Sequence, residues 1–200
     1  MKRTFKTVKQ SLVEPNWQRE AFSNWWHPSG QLLKSIRRYQ KLEERGNFLS
    51  KLLQKWTILH YRFWSVVAAA DIPINCNLGG GLKLPHPNGI VIHPDAVIGY
   101  NCIIFQQVTI IAGVKIGSDV AICAGAKIIR RVKIGDRAII GANAVVRTDV
   151  PAGATAVGIP ARIIPNPDRV DDEIVFDPAQ EPENSPETAE NLENSNVTST

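Results

Sequence analysis

The residue of this sequence best suited to acid–base chemistry is His86, in the stretch LKLPHPNGIVIHPDAVIG. An imidazole titrates near neutral pH, so it can accept a proton from an attacking hydroxyl group. Pro85 and Pro87 flank the histidine, and Gly89 follows Asn88, which predicts a distorted turn that exposes the ring in a groove. The alternative is a structural histidine held by hydrogen bonds.

His86 interrupts a six-residue pattern of aliphatic side chains. One column advances in steps of six through Ile92, Ile98, Ile104, Ile110, Ile116, Ile122, Ile128, Ile134, Ile140 and Val146. A second apolar column lies two residues earlier, at Ile90, Ala96, Cys102, Val108, Val114, Val120, Ala126, Val132, Ala138 and Ala144. Extended backwards, the first column meets His86 where the rule predicts isoleucine.

A period of six matches neither an α-helix nor a simple flat sheet. Positions two apart both point inward, which is strand behaviour, so a short strand and a turn must share every six residues. Such a short repeat predicts a solenoid of stacked parallel strands. Glycine follows the aliphatic residue at several repeats, and we expect tight, positive-φ corners there, at Gly99, Gly117, Gly135 and Gly141.

Residues 17–70 have helical rather than six-residue periodicity. Apolar residues recur at intervals of three and four, and Gly46 predicts the break between two helices. The region contains all five tryptophans, for which we expect burial in the core or at a subunit contact rather than at a membrane surface. They are Trp17, Trp25, Trp26, Trp56 and Trp64.

Composition favours a globular protein of one domain or two small ones, because the 200 residues are 44% hydrophobic. No apolar run approaches the roughly 20 residues of a membrane span, and the first residues lack a signal-peptide core. A cytoplasmic protein is therefore expected. The cysteines Cys76, Cys102 and Cys123 have no metal-ligand spacing and predict free thiols without a metal site.

Charge is divided unevenly along the chain. Residues 1–70 contain thirteen Lys/Arg and four Asp/Glu, whereas residues 170–200 contain nine acids and no Lys or Arg. The bases occur at helical spacing without a nucleic-acid reading motif, which favours a solvated helix face. The domains predicted are a helical region at 1–70, the solenoid at 71–166 and an acidic disordered tail at 167–200.

The repeats resemble the left-handed parallel β-helix of the hexapeptide acyltransferases. The strings DIPINCNLGGGLKLPHPNGIVI, AGAKI, IGANAVV and VGIPARII further resemble bacterial serine O-acetyltransferases. The resemblance implies a mainly β fold preceded by a small helical region, triangular coils of three hexapeptides, and a homotrimer with acetyl-CoA between neighbouring chains. The tryptophan-rich helices could pair trimers into hexamers.

The same resemblance implies catalytic residues. The family's catalytic histidine matches His86, and its partner aspartate, fifteen residues earlier, matches Asp71. Fifteen residues are nearly one coil, which would place Asp71 about one strand spacing from His86. His86 would be the general base that activates a hydroxyl of a small-molecule acceptor, and Asp71 would orient the ring. The other histidines, His27, His60 and His93, are expected to be structural or surface residues.

For acetyl-CoA, the resemblance implies a set of small residues and cations. Small side chains let the pantetheine arm approach the backbone, although solenoid corners need small residues anyway. Cations could contact the phosphates, or could simply be solvated surface charges. The residues are Ala112, Ala124, Gly125, Gly141, Ala142, Lys127 and Arg162.

Departures from the family pattern leave the acceptor open. The stretch VTIIAGVKIG lacks the glycine-rich, histidine-containing loop of the serine pocket, Pro85 replaces an acidic residue, and the helical region is about half the usual size. A site that has lost buried polar partners discriminates less among acceptors. Serine O-acetylation in cysteine biosynthesis is the leading prediction, sugar or polysaccharide O-acetylation is the alternative, and a non-catalytic β-helix scaffold is the alternative of another class.

Overall fold

The computed structural model describes residues 14–20 and 26–166. A short 3-10 helix, Trp17–Glu20, precedes the helices α1, Pro28–Arg45, and α2, Phe48–Ala68. Gly46 ends α1 in the left-handed conformation with φ 63°, so the predicted break is confirmed. The acidic tail predicted at 167–200 lies outside the described residues. No helix within the described ranges is long and apolar enough to cross a membrane.

The two helices pack on each other through a small apolar and polar core. Leu32, Leu33 and Ile36 of α1 are buried against α2. The imidazole of His60 joins the helices, because its Nδ1 lies 2.8 Å from the Ser35 hydroxyl and its Nε2 accepts a hydrogen bond from the Trp64 indole at 3.0 Å. His60 is therefore a structural residue, as expected.

The tryptophans differ from one another in burial. Trp64 is 4% exposed, but the exposed fractions of Trp17, Trp26 and Trp56 are 55%, 51% and 69%. These three side chains are therefore outside the core of the single chain, and the expected alternative, a subunit contact, stays a prediction. The fifth, at position 25, lies outside the described residues. On α2 the exposed apolar side chains form a stripe at helical spacing, which the described residues leave uncovered: Phe48, Leu52, Trp56, Leu59 and Phe63.

Within residues 69–166, thirteen short strands follow the helices. They are β1 Asn77–Leu78, β2 Val91–Ile92, β3 Val97–Ile98, β4 Ile103–Ile104, β5 Thr109–Ile110, β6 Lys115–Ile116, β7 Ala121–Ile122, β8 Lys127–Ile128, β9 Lys133–Ile134, β10 Ile139–Ile140, β11 Val145–Val146, β12 Thr155–Val157 and β13 Arg162–Ile164. The spacing of six between most strands is the spacing of the aliphatic columns.

Successive strands belong in turn to three sheets, so the chain winds as a triangular prism. Sheet A has the order β11-β8-β5-β2, sheet B the order β1-β3-β6-β9, and sheet C the order β13-β12-β10-β7-β4. All pairs are parallel except β12–β13. Both predicted aliphatic columns are buried along their length. The predicted mainly β class, a parallel β-helix preceded by helices, is confirmed.

The glycines after the aliphatic column do not have the predicted role. Gly99, Gly117, Gly135 and Gly141 are not among the positive-φ residues. A Cβ on Gly99 would instead lie 2.5 Å from the backbone carbon of Gly117, so this column is glycine because neighbouring coils approach closely. The left-handed corners lie at another position of the repeat, occupied by Gly89, Asn101, Gln107, Gly113, Asp119, Gly125, Arg137 and Asn143.

Arg37 fixes the helices to the first coil. Its guanidinium donates hydrogen bonds to the carbonyl oxygens of Leu78 and Gly79, both at 2.6 Å, and pairs with Glu20 at 2.8 Å. The Trp17 ring lies 5.4 Å from the guanidinium carbon. These contacts close the N-terminal end of the solenoid, since they occupy carbonyl groups that have no preceding coil to bind.

Candidate functional site

His86 lies on a loop that leaves the regular coil. Leu84 and Ile90, on either side of the loop, are fully buried, whereas the histidine itself is exposed. Gly89 returns the chain to the coil with φ +71°. The structure therefore agrees with the prediction that the interruption of the aliphatic column points the imidazole outwards, where a substrate could reach it.

Backbone hydrogen bonds stack the His86 loop on the coil that contains Asp71. The Gly89 N–H donates to the Ala69 carbonyl at 2.7 Å, and the Asp71 N–H donates to the Ile90 carbonyl at 2.8 Å. Asp71 forms an isolated parallel bridge with Val91, and its side chain is exposed. The predicted spacing of about one coil thus places the two segments on adjacent rungs.

The imidazole of His86 and the carboxylate of Asp71 form no hydrogen bond or salt bridge within the described part of the chain. Asp71 has two ionisable neighbours, Tyr61 and Cys76. Burial, and then the Asp71 charge, raise the pKa of Cys76 to about 12. Burial is also the main cause that raises the pKa of Tyr61, whose hydroxyl donates to the Ile72 carbonyl at 2.9 Å.

An open cavity of about 380 Å³ lies beside Asp71. Its walls are the end of α2 and the two residues that follow it, Ala69 and Ala70, together with the segment from Gly89 to Val91. The cavity reaches the rung of Asp71 and the end of the His86 loop, so a small acceptor molecule could lie next to both segments.

One corner of the prism continues from the His86 loop along the solenoid. The Gln107 N–H donates to the Asn88 carbonyl at 3.0 Å, the Gly125 N–H to the Gln106 carbonyl at 2.9 Å, and the Asn143 N–H to the Ala124 carbonyl at 2.8 Å. We call this stack the A–C corner, because it joins sheet C to sheet A. It brings together four residues of the predicted acetyl-CoA set, Ala124, Gly125, Gly141 and Ala142.

The outward face of sheet A borders this corner. Its register aligns Asp71, Val91, Thr109, Lys127 and Val145 in one outward column. The Lys127 ammonium donates to the Thr109 hydroxyl at 3.2 Å. Asp71 and Lys127 therefore share one face, about 14 Å apart over three strand spacings.

Two residues of the predicted acetyl-CoA set lie elsewhere. Ala112 follows β5 at the opposite edge of sheet A, and Arg162 lies on β13, paired with Val157 at the C-terminal rung. The structure of one chain does not bring either residue to the A–C corner.

Gln106 is a residue of this corner that the sequence analysis missed. Its Oε1 atom is buried and has no hydrogen-bond partner among the described residues. Buried polar atoms are normally paired, so this oxygen is ready to accept a hydrogen bond. A weak signal was available, since the position of Gln106 is alanine in the next two coils, at Ala124 and Ala142.

The remaining candidate residues have structural partners or surface positions. His93 is exposed, and its Nδ1 accepts a hydrogen bond from the Asp95 N–H at 3.1 Å. The Nδ1 atom of His27 lies 2.9 Å from the Ser29 hydroxyl. Cys76, Cys102 and Cys123 are free thiols. In the described ranges, no group of three or more His, Cys, Asp or Glu side chains could hold a metal ion.

Comparisons with known proteins agree with this architecture. Residues 113–148 match the family model described as bacterial transferase hexapeptide (six repeats). A serine acetyltransferase of Escherichia coli K12 is 41% identical over 112 residues, which are 52% of this chain and 41% of that protein. The serine acetyltransferase of Helicobacter pylori J99 is 36% identical over 106 residues, 49% of this chain and 62% of that protein.

Solved structures of serine acetyltransferases are also similar to this chain. Soybean serine acetyltransferase in complex with serine has a TM-score of 0.59 and 32% identity, over 70% of this chain and 58% of that one. A serine acetyltransferase complex with CoA has a TM-score of 0.59 and 33% identity, over 70% and 57%. The chain thus spans less than two thirds of these relatives. Its hexapeptide repeats and solenoid confirm the resemblance to the hexapeptide-repeat acyltransferases and, among them, to the serine acetyltransferases.

Proposed function

We propose that the chain is an acetyl-CoA-dependent O-acetyltransferase that acetylates the hydroxyl of L-serine. His86 would be the general base and Asp71 its orienting partner. The observation that carries the proposal is the stacking of the exposed His86 loop on the coil of Asp71, at the head of the A–C corner. The similarity to serine acetyltransferases, with structures named as complexes with serine and with CoA, supports the same reaction.

The reaction needs one group that moves a proton. His86 accepts the proton of the acceptor hydroxyl as its oxygen bonds to the acetyl carbon, and returns it to the sulfur when the C–S bond breaks. Asp71 accepts a hydrogen bond from the other ring nitrogen, which fixes the tautomer and stabilises the imidazolium. Both side chains are exposed on backbone segments that are already fixed, so we expect side-chain rotation to form this contact when substrates bind.

The A–C corner would bind acetyl-CoA, which supplies the activated acetyl group. Ala124, Gly125, Gly141 and Ala142 leave the backbone accessible to the amides of the pantetheine arm. Lys127 offers a cation on the adjoining face, and backbone N–H groups would stabilise the negative charge on the carbonyl oxygen.

A homotrimer would complete the acetyl-CoA site at the A–C corner. Ala112 lies at the far edge of sheet A and Arg162 at the C-terminal rung, so a neighbouring chain is needed for either residue to approach a ligand at the A–C corner. The uncovered apolar stripe of α2 would pair trimers into hexamers, since an exposed stripe of this kind is typical of a contact surface. The product, O-acetylserine, would serve cysteine biosynthesis in the cytoplasm.

Acetylation of a sugar hydroxyl is the second candidate, and the connection after β5 favours it. Only residues 111–114 separate β5 from β6, so no inserted loop follows β5 to cover an acceptor held against a neighbouring chain. A more open site with fewer polar partners would admit a larger acceptor.

The decisive experiment measures CoA release from acetyl-CoA by the purified full chain, with and without L-serine, and with His86→Ala in parallel. Serine-dependent release that disappears in the variant would establish the proposed reaction. Release that depends on a sugar instead would select the second candidate. No release with either class of acceptor would reject the catalytic proposal in favour of a scaffold.

A further inference from the structure

A cationic groove on the helices lies outside the proposed catalytic site. It has a volume of about 450 Å³ and is lined by Lys34, Arg37, Arg38, Lys41 and Arg45 of α1, together with Glu20, Leu33, Leu42 and Leu53. We call it the α1 groove. Its cations recur at intervals of three and four residues and so share one face of the helix.

The described residues leave most of the charge of this groove uncompensated. Glu20 pairs with Arg37 at 2.8 Å. No salt bridge to Lys34, Arg38, Lys41 or Arg45 is formed by any acid within residues 14–20 and 26–166. The floor is apolar, since Leu33 and Leu42 are buried beneath the cations. An acidic segment with a small apolar anchor is the chemistry that complements this surface.

We propose that the acidic segment 181–193 of this same chain docks in the α1 groove. The sequence EPENSPETAENLE contains five glutamates and no base, and Leu192 could contact the apolar floor. Its negative charge is complementary to the excess of bases in residues 1–70. Because it is tethered, its effective concentration at the groove far exceeds that of a free acidic peptide.

The reach of the chain excludes Asp171 and Asp172, the first acids after the solenoid, and includes the whole segment 181–193. Arg37 holds α1 at the first coil, whereas Asn166 follows β13. The rungs β4, β7, β10, β12 and β13 lie between these ends, about 24 Å along the axis. Asp171 and Asp172 follow Asn166 too closely to cover that distance at roughly 3.4 Å per residue, but Glu181 and later residues can.

The lengths of groove and segment also agree. Lys34 to Arg45 spans about 16 Å along α1, at 1.5 Å per residue. An extended chain from Glu187 to Glu193 spans about 20 Å. Three glutamates can therefore lie along the cationic face while Leu192 contacts the floor.

Zero-length carbodiimide crosslinking of the full chain at low salt, followed by peptide mass spectrometry, tests the proposal. We expect Lys34 and Lys41 to crosslink to Glu181–Glu193 at least fivefold more than the exposed solenoid lysines Lys115 and Lys133. Raising the salt concentration should remove the preference, because exposed charge pairs are screened.

A charge-reversed variant supplies the control for specificity. The double variant Arg38→Glu, Arg45→Glu should lower the Lys34 and Lys41 crosslinks at least fivefold. If charge reversal unfolds the helices, the neutral double variant Arg38→Gln, Arg45→Gln takes its place and should also lower these crosslinks. Arg130→Glu with Arg131→Glu changes the net charge equally on the solenoid and should leave the crosslinks unchanged.

Three results would overturn the proposal. They are equal crosslinking of groove and solenoid lysines, crosslinks that are insensitive to Arg38 and Arg45, and crosslinks from the groove to Glu43 or Glu44 of a second copy. The last result would identify the groove as a contact between copies.

Discussion

The N–H group of Gly89 donates a hydrogen bond of 2.7 Å to the carbonyl oxygen of Ala69. This bond joins the end of the His86 loop to the residue two positions before Asp71. Together with the bond from the Asp71 N–H to the Ile90 carbonyl, it stacks the segments of the proposed base and its partner on adjacent rungs. Substitutions can therefore separate the chemistry of the side chains from the geometry of the loop.

Asp71→Asn tests the chemistry. The amide keeps the size of the side chain but loses the negative charge that would stabilise the imidazolium, so we expect turnover to fall by about two to four orders of magnitude. The expected oligomeric state is unchanged, because the side chain is exposed. CoA release and size-exclusion chromatography measure the two quantities. Near-normal turnover would remove Asp71 from the mechanism.

Gly89→Ala tests the geometry. An alanine at φ +71° costs about 1–2 kcal/mol, and its Cβ would lie 3.2 Å from the Gln107 side chain. We expect the loop to shift and kcat to fall at least tenfold. Gly46→Ala is a matched control, since Gly46 has φ +63° with no atom within 4 Å and lies far from His86 in sequence. Equal effects of the two variants on kcat would show that the loop position is unimportant.

Gly99→Ala tests the stacking of the coils. Its Cβ would lie 2.5 Å from backbone atoms of Gly117, which cannot move without displacing the next rung. We expect a loss of about 3 kcal/mol or more in the free energy of unfolding. Urea unfolding of the variant, compared with Gly46→Ala, measures the difference. A loss no larger than that of Gly46→Ala would contradict close approach as the reason for glycine.

His60 predicts a pH dependence of stability. Burial, and then the charge of Arg38, lower the pKa of His60 from its ordinary value of 6.5. In the unfolded chain the imidazole gains its proton first as the pH falls, so the unfolded state is favoured below about pH 6.5. The free energy of unfolding should therefore fall between about pH 7.5 and pH 5.5. His60→Gln should flatten this part of the profile; an unchanged slope would assign the effect to other groups.

The fold could be predicted in detail because one rule acts at every repeat. Each column residue contacts the equivalent residues of the neighbouring coils, so the spacing of Ile92, Ile98 and Ile104 already contains the register that the sheets show. The role of the glycines could not be read in the same way. A spacing does not say whether Gly99 is needed for its φ angle or for the space that its hydrogen leaves, and the structure shows the second.

The candidate site was predictable only in part, for a similar physical reason. His86 was visible as an exception to the apolar rule, and the small residues of the A–C corner were implied by the resemblance to the serine O-acetyltransferases. Gln106 stands where the next two coils have alanine, but the sequence does not show that its oxygen is buried without a partner among the described residues. Burial of Trp17, Trp26 and Trp56 depends on surfaces beyond one chain, which no local pattern describes.

The antiparallel pairing of β12 with β13 also affects how copies of the molecule can meet. A parallel solenoid that simply stopped would offer free strand edges at its final coil, onto which a second solenoid could polymerise end to end. In sheet C the reversed direction of β13 interrupts the parallel order that such growth would continue. At the other end, Arg37 and the 3-10 helix Trp17–Glu20 obstruct the first coil. These features at the two ends of the solenoid therefore oppose end-to-end growth into fibres, whereas copies can still assemble through the long sides of the prism.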